Sequence, residues 1–377
     1  MTRLTRPPLK QLGIADHLRG RILAGDLGPG DRFPTRVEIQ QQFAASTHTV
    51  QSALDRLLAD GFITPAGRRG TFVADHPPHL HRYVLAFPYA PGTSHWVRFW
   101  TVLADAAHEL GRGPDLRVEV LHGTDPGSGG DGLRRLEADV RARRLAGIVF
   151  ATDPQAIEAS PVVAAPGLAR VTFRSPRPGA LVPGVDLGAT GALFFDRALA
   201  HLADRGRRRI GLITVPGISG RRLDAFRDGL ARHGMTCHPW WVQAAHQSDP
   251  RWAENLATLM LRGKPADRPD ALILADDNLV EHACAGIAAS GLRVPADLDV
   301  VAHCNFPAPA PRVLAITRLG YDVPAALRTC LDLLARQRAG RKVPAVTTLP
   351  PVFEHETTTS EPSPGTPGEG RARVFAP

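Results

Sequence analysis

Lysine is nearly absent from this chain. Of 45 basic residues, only Lys10, Lys264 and Lys342 are lysines. Lys264 lies between Gly263 and Pro265, and Lys342 sits in an Arg-Lys-Val-Pro loop. Neither setting suits a lysine that must carry a Schiff base. Cysteine is scarce too. Cys237, Cys284, Cys304 and Cys330 show no CxxC or CxxxH spacing, so they predict reduced core thiols and neither a zinc site nor a disulfide frame. No apolar run approaches a membrane span, and none near the N-terminus has the form of a signal peptide. A cytoplasmic protein without membrane contact is expected. Neither the G-x-G-x-x-G nor the G-x-x-x-x-G-K spacing of a phosphate cradle occurs. Asp276 and Asp277 could imitate a metal-binding carboxylate pair, but no His or acid stands at a useful spacing from them. No metal, cofactor or catalytic residue is therefore expected.

What is present is arginine, ordinary apolar content and length. With 377 residues the chain can hold two or three domains with full cores. Its formal net charge of +8 suits a polyanionic partner. The arginines are spread throughout, so a general compositional bias explains part of that charge.

The most informative stretch runs from Phe33 to Val73. Thr35 and Glu38 have capping-box spacing, and Ile39 and Phe43 give the helix that follows one apolar face. Ala44 and Ala45 allow a tight turn. Ser46 can cap a second helix whose apolar positions are Val50, Ala53, Leu54, Leu57 and Leu58. Gly61 supplies a left-handed stop. Phe62–Thr64 and Thr71–Val73 can pair as strands around a turn from Pro65 to Gly70. This is a helix-turn-helix with a wing, backed by a helix over about Leu9 to Ala24. Thr47, His48, Thr49 and Gln51 stand where a recognition helix meets base edges. Arg68 and Arg69 lie at the wing tip, placed for phosphates or a minor groove. A plain amphipathic helix pair packed on a hairpin has the same pattern.

Residues 1–8 read as a loose arm. Asp75–Arg82, with two prolines and three histidines, reads as a semi-extended linker. From Tyr83 onward short apolar runs alternate with amphipathic helices, which predicts parallel, doubly wound sheets. That region is large for one sheet and suits two lobes. Residues 177–190 are a candidate crossover. From residue 360 the chain is rich in Pro, Gly and Ser, and disorder is expected.

Two resemblances sharpen this reading. Ile22, Gly25, Leu27, Pro29, Gly30, Pro34, Ser46, Thr49, Val50, Ala53, Leu54, Leu57, Gly61 and Gly70-Thr71-Phe72-Val73 follow the pattern of the GntR family of bacterial transcription regulators. This resemblance covers roughly residues 9–74. It departs from the family where arginines are usual: Val37, Thr47 and Gln51 stand there, with Arg36 beside the first. Base preference therefore does not carry over.

The later region resembles the LacI/GalR family. The resemblance rests on Val185-Asp186, Gly191-Ala192, Ala200-His201-Leu202, the run Gly206–Ile213, Arg222 with Phe226, Pro269-Asp270-Ala271 to Asp277, and Gly291, Val294-Pro295 and Asp299-Val300-Val301. It implies a periplasmic-binding-protein fold of two Rossmann-like lobes joined by three crossovers, with a ligand cleft at the carboxyl ends of the strands. It also implies that Arg222 binds effector hydroxyls, with Asp276, Asp277 and Asn305 nearby. Tyr89 and Trp96 follow the first strand and could stack on a sugar face, although Trp96 could equally pack in the core. Cys304 stands where the family carries an acid that receives a sugar hydroxyl. The expected effector is an unusual saccharide or a non-sugar.

The expected organisation is a winged helix-turn-helix domain (1–74), a linker (75–82), a two-lobed α/β effector domain (83–359) and a tail (360–377). The expected function is that of a homodimeric repressor binding an inverted-repeat operator in double-stranded DNA under control of a small, sugar-like effector. The alternative is a small-molecule-binding protein whose head has lost operator specificity. A GntR-type head also occurs on aminotransferase-like bodies, which the lysine settings disfavour.

Overall fold

The computed structural model describes residues 10–113, 116–173, 179–188, 191–217, 220–309 and 313–357. The expected N-terminal arm and C-terminal tail lie outside these residues. Two compact units emerge: residues 1–189 with 326–349, and residues 190–325 with 350–377. The chain passes between them three times, as the resemblance implied. The head belongs to the same unit as the first lobe.

In the head, α1 (Lys10–Ala24) buries Ile14, Leu18 and Ile22 at helical spacing. The capping box starts α2 (Arg36–Phe43): Glu38 donates its backbone N–H to the Thr35 hydroxyl, and Thr35 donates its N–H to the Glu38 carboxylate. Ala44 turns the chain in the left-handed region at φ 44°. Ser46 then caps α3 (Thr47–Ala59), which buries Val50, Ala53, Leu54 and Leu57. At the far end Gly61 takes φ 78°. Gly61 N–H donates to Leu58 C=O and Phe62 N–H to Leu57 C=O, a Schellman closure. That closure takes Phe62 out of the strand expected to include it. The strand β1 is Ile63–Pro65 and pairs antiparallel with β2 (Thr71–Val73), with a 3₁₀ turn at Gly67–Arg69 between them. Phe62 enters the head core, with no exposed surface.

The expected semi-extended linker contains a helical turn, α4 (Pro78–His81). Pro78 at its first position loses no hydrogen bond, because that N–H has no partner within the helix in any case. The turn is held at both faces. The His79 ring stacks on Phe62 at 5.7 Å. Arg338 donates to the Leu80 carbonyl at 3.0 Å and to the Tyr83 hydroxyl at 2.9 Å.

The first lobe alternates β3 (Arg82–Ala86), α5 (Arg98–Leu110), β4 (Arg117–Leu121), α6 (Gly132–Arg141), β5 (Gly147–Phe150), α7 (Pro161–Ala164), β6 (Ala169–Phe173) and β7 (Gly184–Asp186). The second lobe continues with α8 (Ala192–Asp204), β8 (Ile210–Thr214), α9 (Gly220–Arg232), β9 (Val242–Ala244), α10 (Trp252–Met260), β10 (Ala271–Leu274), α11 (Val280–Ala289), β11 (Asp299–Phe306) and β12 (Thr317–Asp322). Helix α12 (Val323–Arg338) leads back to β13 (Val346–Thr348) in the first lobe, and β14 (Val352–Phe353) ends in the second.

The first sheet is wholly parallel, in the order β13-β7-β6-β5-β3-β4. The second runs β14-β12-β11-β10-β8-β9 and is parallel except for β14. Apolar side chains cover both faces of the second sheet in two separate core clusters, as a parallel sheet requires. Strands β11 and β12 approach so closely that a Cβ at Gly320 would strike the Cys304 carbonyl. Part of the stretch expected to be only a crossover is strand β7.

Candidate nucleic-acid interface and effector-binding residues

The start of α3 is exposed at Ser46, Thr47 and His48, and Arg36 is exposed at the start of α2. Several of these groups already have partners. The Ser46 hydroxyl accepts from Thr49 N–H at 3.2 Å and lies 2.9 Å from the Thr49 hydroxyl. Gln40 donates to the Thr47 hydroxyl at 2.7 Å, which ties α2 to α3. Gln51 donates its amide to Asp55 at 2.6 Å. Arg68 and Arg69 are exposed on the 3₁₀ turn of the wing. The head thus presents hydroxyls, an imidazole and an amide on one helix start, with guanidinium groups at the wing tip.

In the second lobe, the carboxyl ends of β10 and β11 bring Asp276, Asp277 and Asn305 together. Asn305 donates its side-chain amide to Asp277 at 2.7 Å, and both are buried. Asp276 accepts from the Asn278 backbone at 3.0 Å and its side-chain amide at 2.8 Å. Burial, then the neighbouring Asp277 charge, raises the Asp276 pKa. Arg222 on α9 lies against the Gly191 backbone: a Cβ at Gly191 would sit 3.1 Å from Arg222 Nε.

The sequence reading missed His303. It lies two positions before Asn305 on β11, on the same face by strand alternation. Its imidazole is within electrostatic reach of Asp276 and Arg222, and burial lowers its pKa to about 4. His303 Nδ1 is buried without a hydrogen-bond partner. Its position between an apolar strand and Asn305 was the available signal. Cys304 is a buried thiol whose pKa burial raises, so it cannot replace a carboxylate acceptor.

In the first lobe, Tyr89 stacks on His95 at 4.4 Å. Trp96 precedes α5. Its ring meets Phe87 at 5.1 Å, Trp100 at 5.5 Å and His122 at 5.5 Å, and its N–H donates to Thr101 at 2.9 Å. Trp96 and Trp100 are half-buried, so this aromatic group at the carboxyl ends of β3 and β4 keeps an accessible surface. Trp100 and His122 were not singled out from sequence, because each reads as an ordinary helix or strand-end residue. Among the described residues, no group of three or more His, Cys, Asp or Glu is placed to hold a metal ion.

Residues 10–73 match the family described as bacterial regulatory proteins, gntR family. Residues 199–358 match the periplasmic binding protein-like domain. The chain therefore joins a gntR-type DNA-binding head to a periplasmic-binding-protein-like core. Among curated proteins, it is 26% identical over 109 residues to the ribose operon repressor of Haemophilus influenzae, covering 28% of this chain and 32% of that one. It is 35% identical over 69 residues to the arabinose metabolism transcriptional repressor of Geobacillus stearothermophilus, covering 18% and 19%. The aligned stretches thus span a third or less of these relatives' own length. Among solved structures, a LacI family transcriptional regulator from Arthrobacter sp. FB24, in complex with lactose, shares the fold. The TM-score is 0.56 at 19% identity, over 72% of this chain and 97% of that one. No helix among the described residues is long and apolar enough to cross a membrane.

Proposed function

We propose that the protein is a transcription repressor that binds an inverted-repeat operator as a homodimer and is controlled by a sugar-like effector. One observation carries this reading: a capped recognition helix with an exposed polar start, flanked by wing arginines, is built onto a periplasmic-binding-protein-like core. The DNA contacts are assigned to Arg36, Ser46, Thr47, His48, Thr49 and Gln51, with Arg68 and Arg69 on the backbone or minor groove. Effector-binding residues are assigned in each lobe by itself: Arg222, Asp276, Asp277 and Asn305 in the second, and Tyr89 and Trp96 in the first. The curated relatives named above are sugar-operon repressors, which supports a saccharide. Mixed carboxylate, amide and guanidinium groups suit a neutral polyol, since they can accept and donate around one ring. Exposed Trp252 and Leu259 on α10, with Trp240 beside them in sequence order, support a dimer formed through the second lobe. The protein acts by binding, without chemistry, and its DNA target places it in the cytoplasm.

A second reading keeps the core as a binding protein with a head that coats DNA without selecting a site. The internal hydrogen bonds of Thr47, Thr49 and Gln51 favour it. Footprinting on the DNA upstream of the gene separates the two. Protection of a discrete inverted repeat supports the repressor; salt-sensitive coating of any duplex supports the alternative.

A further inference from the structure

Asp60 is the C-cap of α3, the recognition helix. A carboxylate there faces the negative end of the helix dipole, an unfavourable place for it. Two guanidinium groups compensate. Arg19 of α1 donates to Asp60 Oδ2 at 2.8 Å, and Arg144 of the first lobe donates to Oδ1 at 2.9 Å. Arg144 follows α6 and also pairs with Asp139, which in turn accepts from Arg82 at 2.8 Å. Arg82 reaches Glu119 at 2.7 Å. The chain of charges runs from the head into the sheet of the lobe.

Its inner members are well shielded. Asp60 and Asp139 side chains are 9% and 10% exposed, and Arg144 is 29% exposed. Pairs in such a setting are screened far less than surface pairs. A cavity of about 660 Å³ opens there, lined by Asp60, Gly61, Pro78, Arg82, Gly111 and Arg144 among others. Contact at this seam includes the ion pairs and the His79–Phe62 stack.

We propose that Asp60 is a positioning residue: through Arg144 it fastens the recognition helix to the first lobe, so the lobe and not a tether sets the orientation of the DNA-reading helix. The fastening itself does not depend on the repressor reading; its consequence for operator spacing does.

The test uses the full chain with Arg144→Ala, Arg144→Lys and, as a control, Arg112→Ala, whose exposed side chain pairs with Glu109 three residues before it. Limited chymotrypsin cleavage at Leu80 is timed. Wild type and the control should resist. Arg144→Ala should be cut at least tenfold faster into two stable fragments, with Arg144→Lys between. Cleavage of Arg144→Ala within twofold of wild type overturns the proposal. So does general degradation, which would make Arg144 a fold-supporting residue only. In a second arm, base pairs are inserted between the operator half-sites. Wild-type affinity should fall steeply with each insertion, while Arg144→Ala should change by less than threefold and keep half-site binding. Equal spacing dependence in both proteins also overturns the fastening. A wild type that protects no discrete operator refutes the repressor reading alone, and the cleavage arm still decides the fastening.

Discussion

Asn305 at the end of β11 donates its side-chain amide to Asp277, the third residue after β10, at 2.7 Å. The pair joins neighbouring parallel strands at their carboxyl ends. A hydrogen bond to a buried charge contributes about 1.5–3 kcal/mol. Replacing Asn305 by Ala should therefore lower the stability of the second lobe by an amount of that order, read by denaturant unfolding. Asn305→Asp should be worse, because it sets a second carboxylate against Asp277. If Asn305→Asp is as stable as wild type at pH 7, the pair does not hold the strand ends together.

The recognition helix gives a second expectation. Gln51 shares its amide with exposed Asp55, and an acid on that surface repels phosphate. Asp55→Asn keeps an acceptor for Gln51 and removes the charge. It should tighten binding to every duplex and steepen the salt dependence. Gln51→Ala should instead relax preference at one base pair, by about 1–3 kcal/mol of discrimination if Gln51 reads an adenine. A binding-site selection unchanged by Gln51→Ala would remove it from the interface.

At the wing, Arg68 and Arg69 carry no assigned base. Replacing both by Ala should weaken all sequences alike and lower the slope of log K against log salt by up to about 2, one unit per lost phosphate contact. A change confined to one operator sequence would instead mean that the wing reads bases.

Local chemistry made much of the head legible. The Thr35–Glu38 box, the Ser46 cap and the Gly61 stop each depend on residues within a few positions, so α2, α3 and the wing fall near where the pattern puts them. The alternating texture of the core was legible for the same reason. What could not be read was long-range. Phe62 looked like a strand residue until the Schellman closure turned it inward. Asp75–Arg82 looked like a tether because its prolines are local facts, while its anchors, Phe62 and Arg338, are distant. The Asp60–Arg144 pair spans 84 positions and no spacing rule points to it. The aromatic group around Trp96 likewise needs Phe87, Trp100 and His122 to be gathered from three elements. Thr317–Asp322 was missed as a strand because its sequence, TRLGYD, has neither strict alternation nor an apolar run.

His79 gives the head–lobe seam a pH dependence. Burial, with smaller contributions from the Arg338 and His81 charges, lowers its pKa from the ordinary 6.5 to about 4. Its ring must be neutral to stack on Phe62 in that setting. Between pH 6.5 and 4 the unfolded chain binds this proton and the folded chain does not. The stabilisation is therefore full above about pH 6.5 and is lost as the pH falls toward 4. His303 has the same sign for the same cause, burial, so wild type carries at least two such groups. Thermal unfolding followed at pH 7.5 and pH 5 should show a lower midpoint at pH 5. His79→Phe keeps an aromatic partner for Phe62 and cannot take the proton. It should shrink the pH difference without abolishing it, because His303 still titrates. An undiminished difference in His79→Phe would mean that the seam stays closed whatever the charge of this ring.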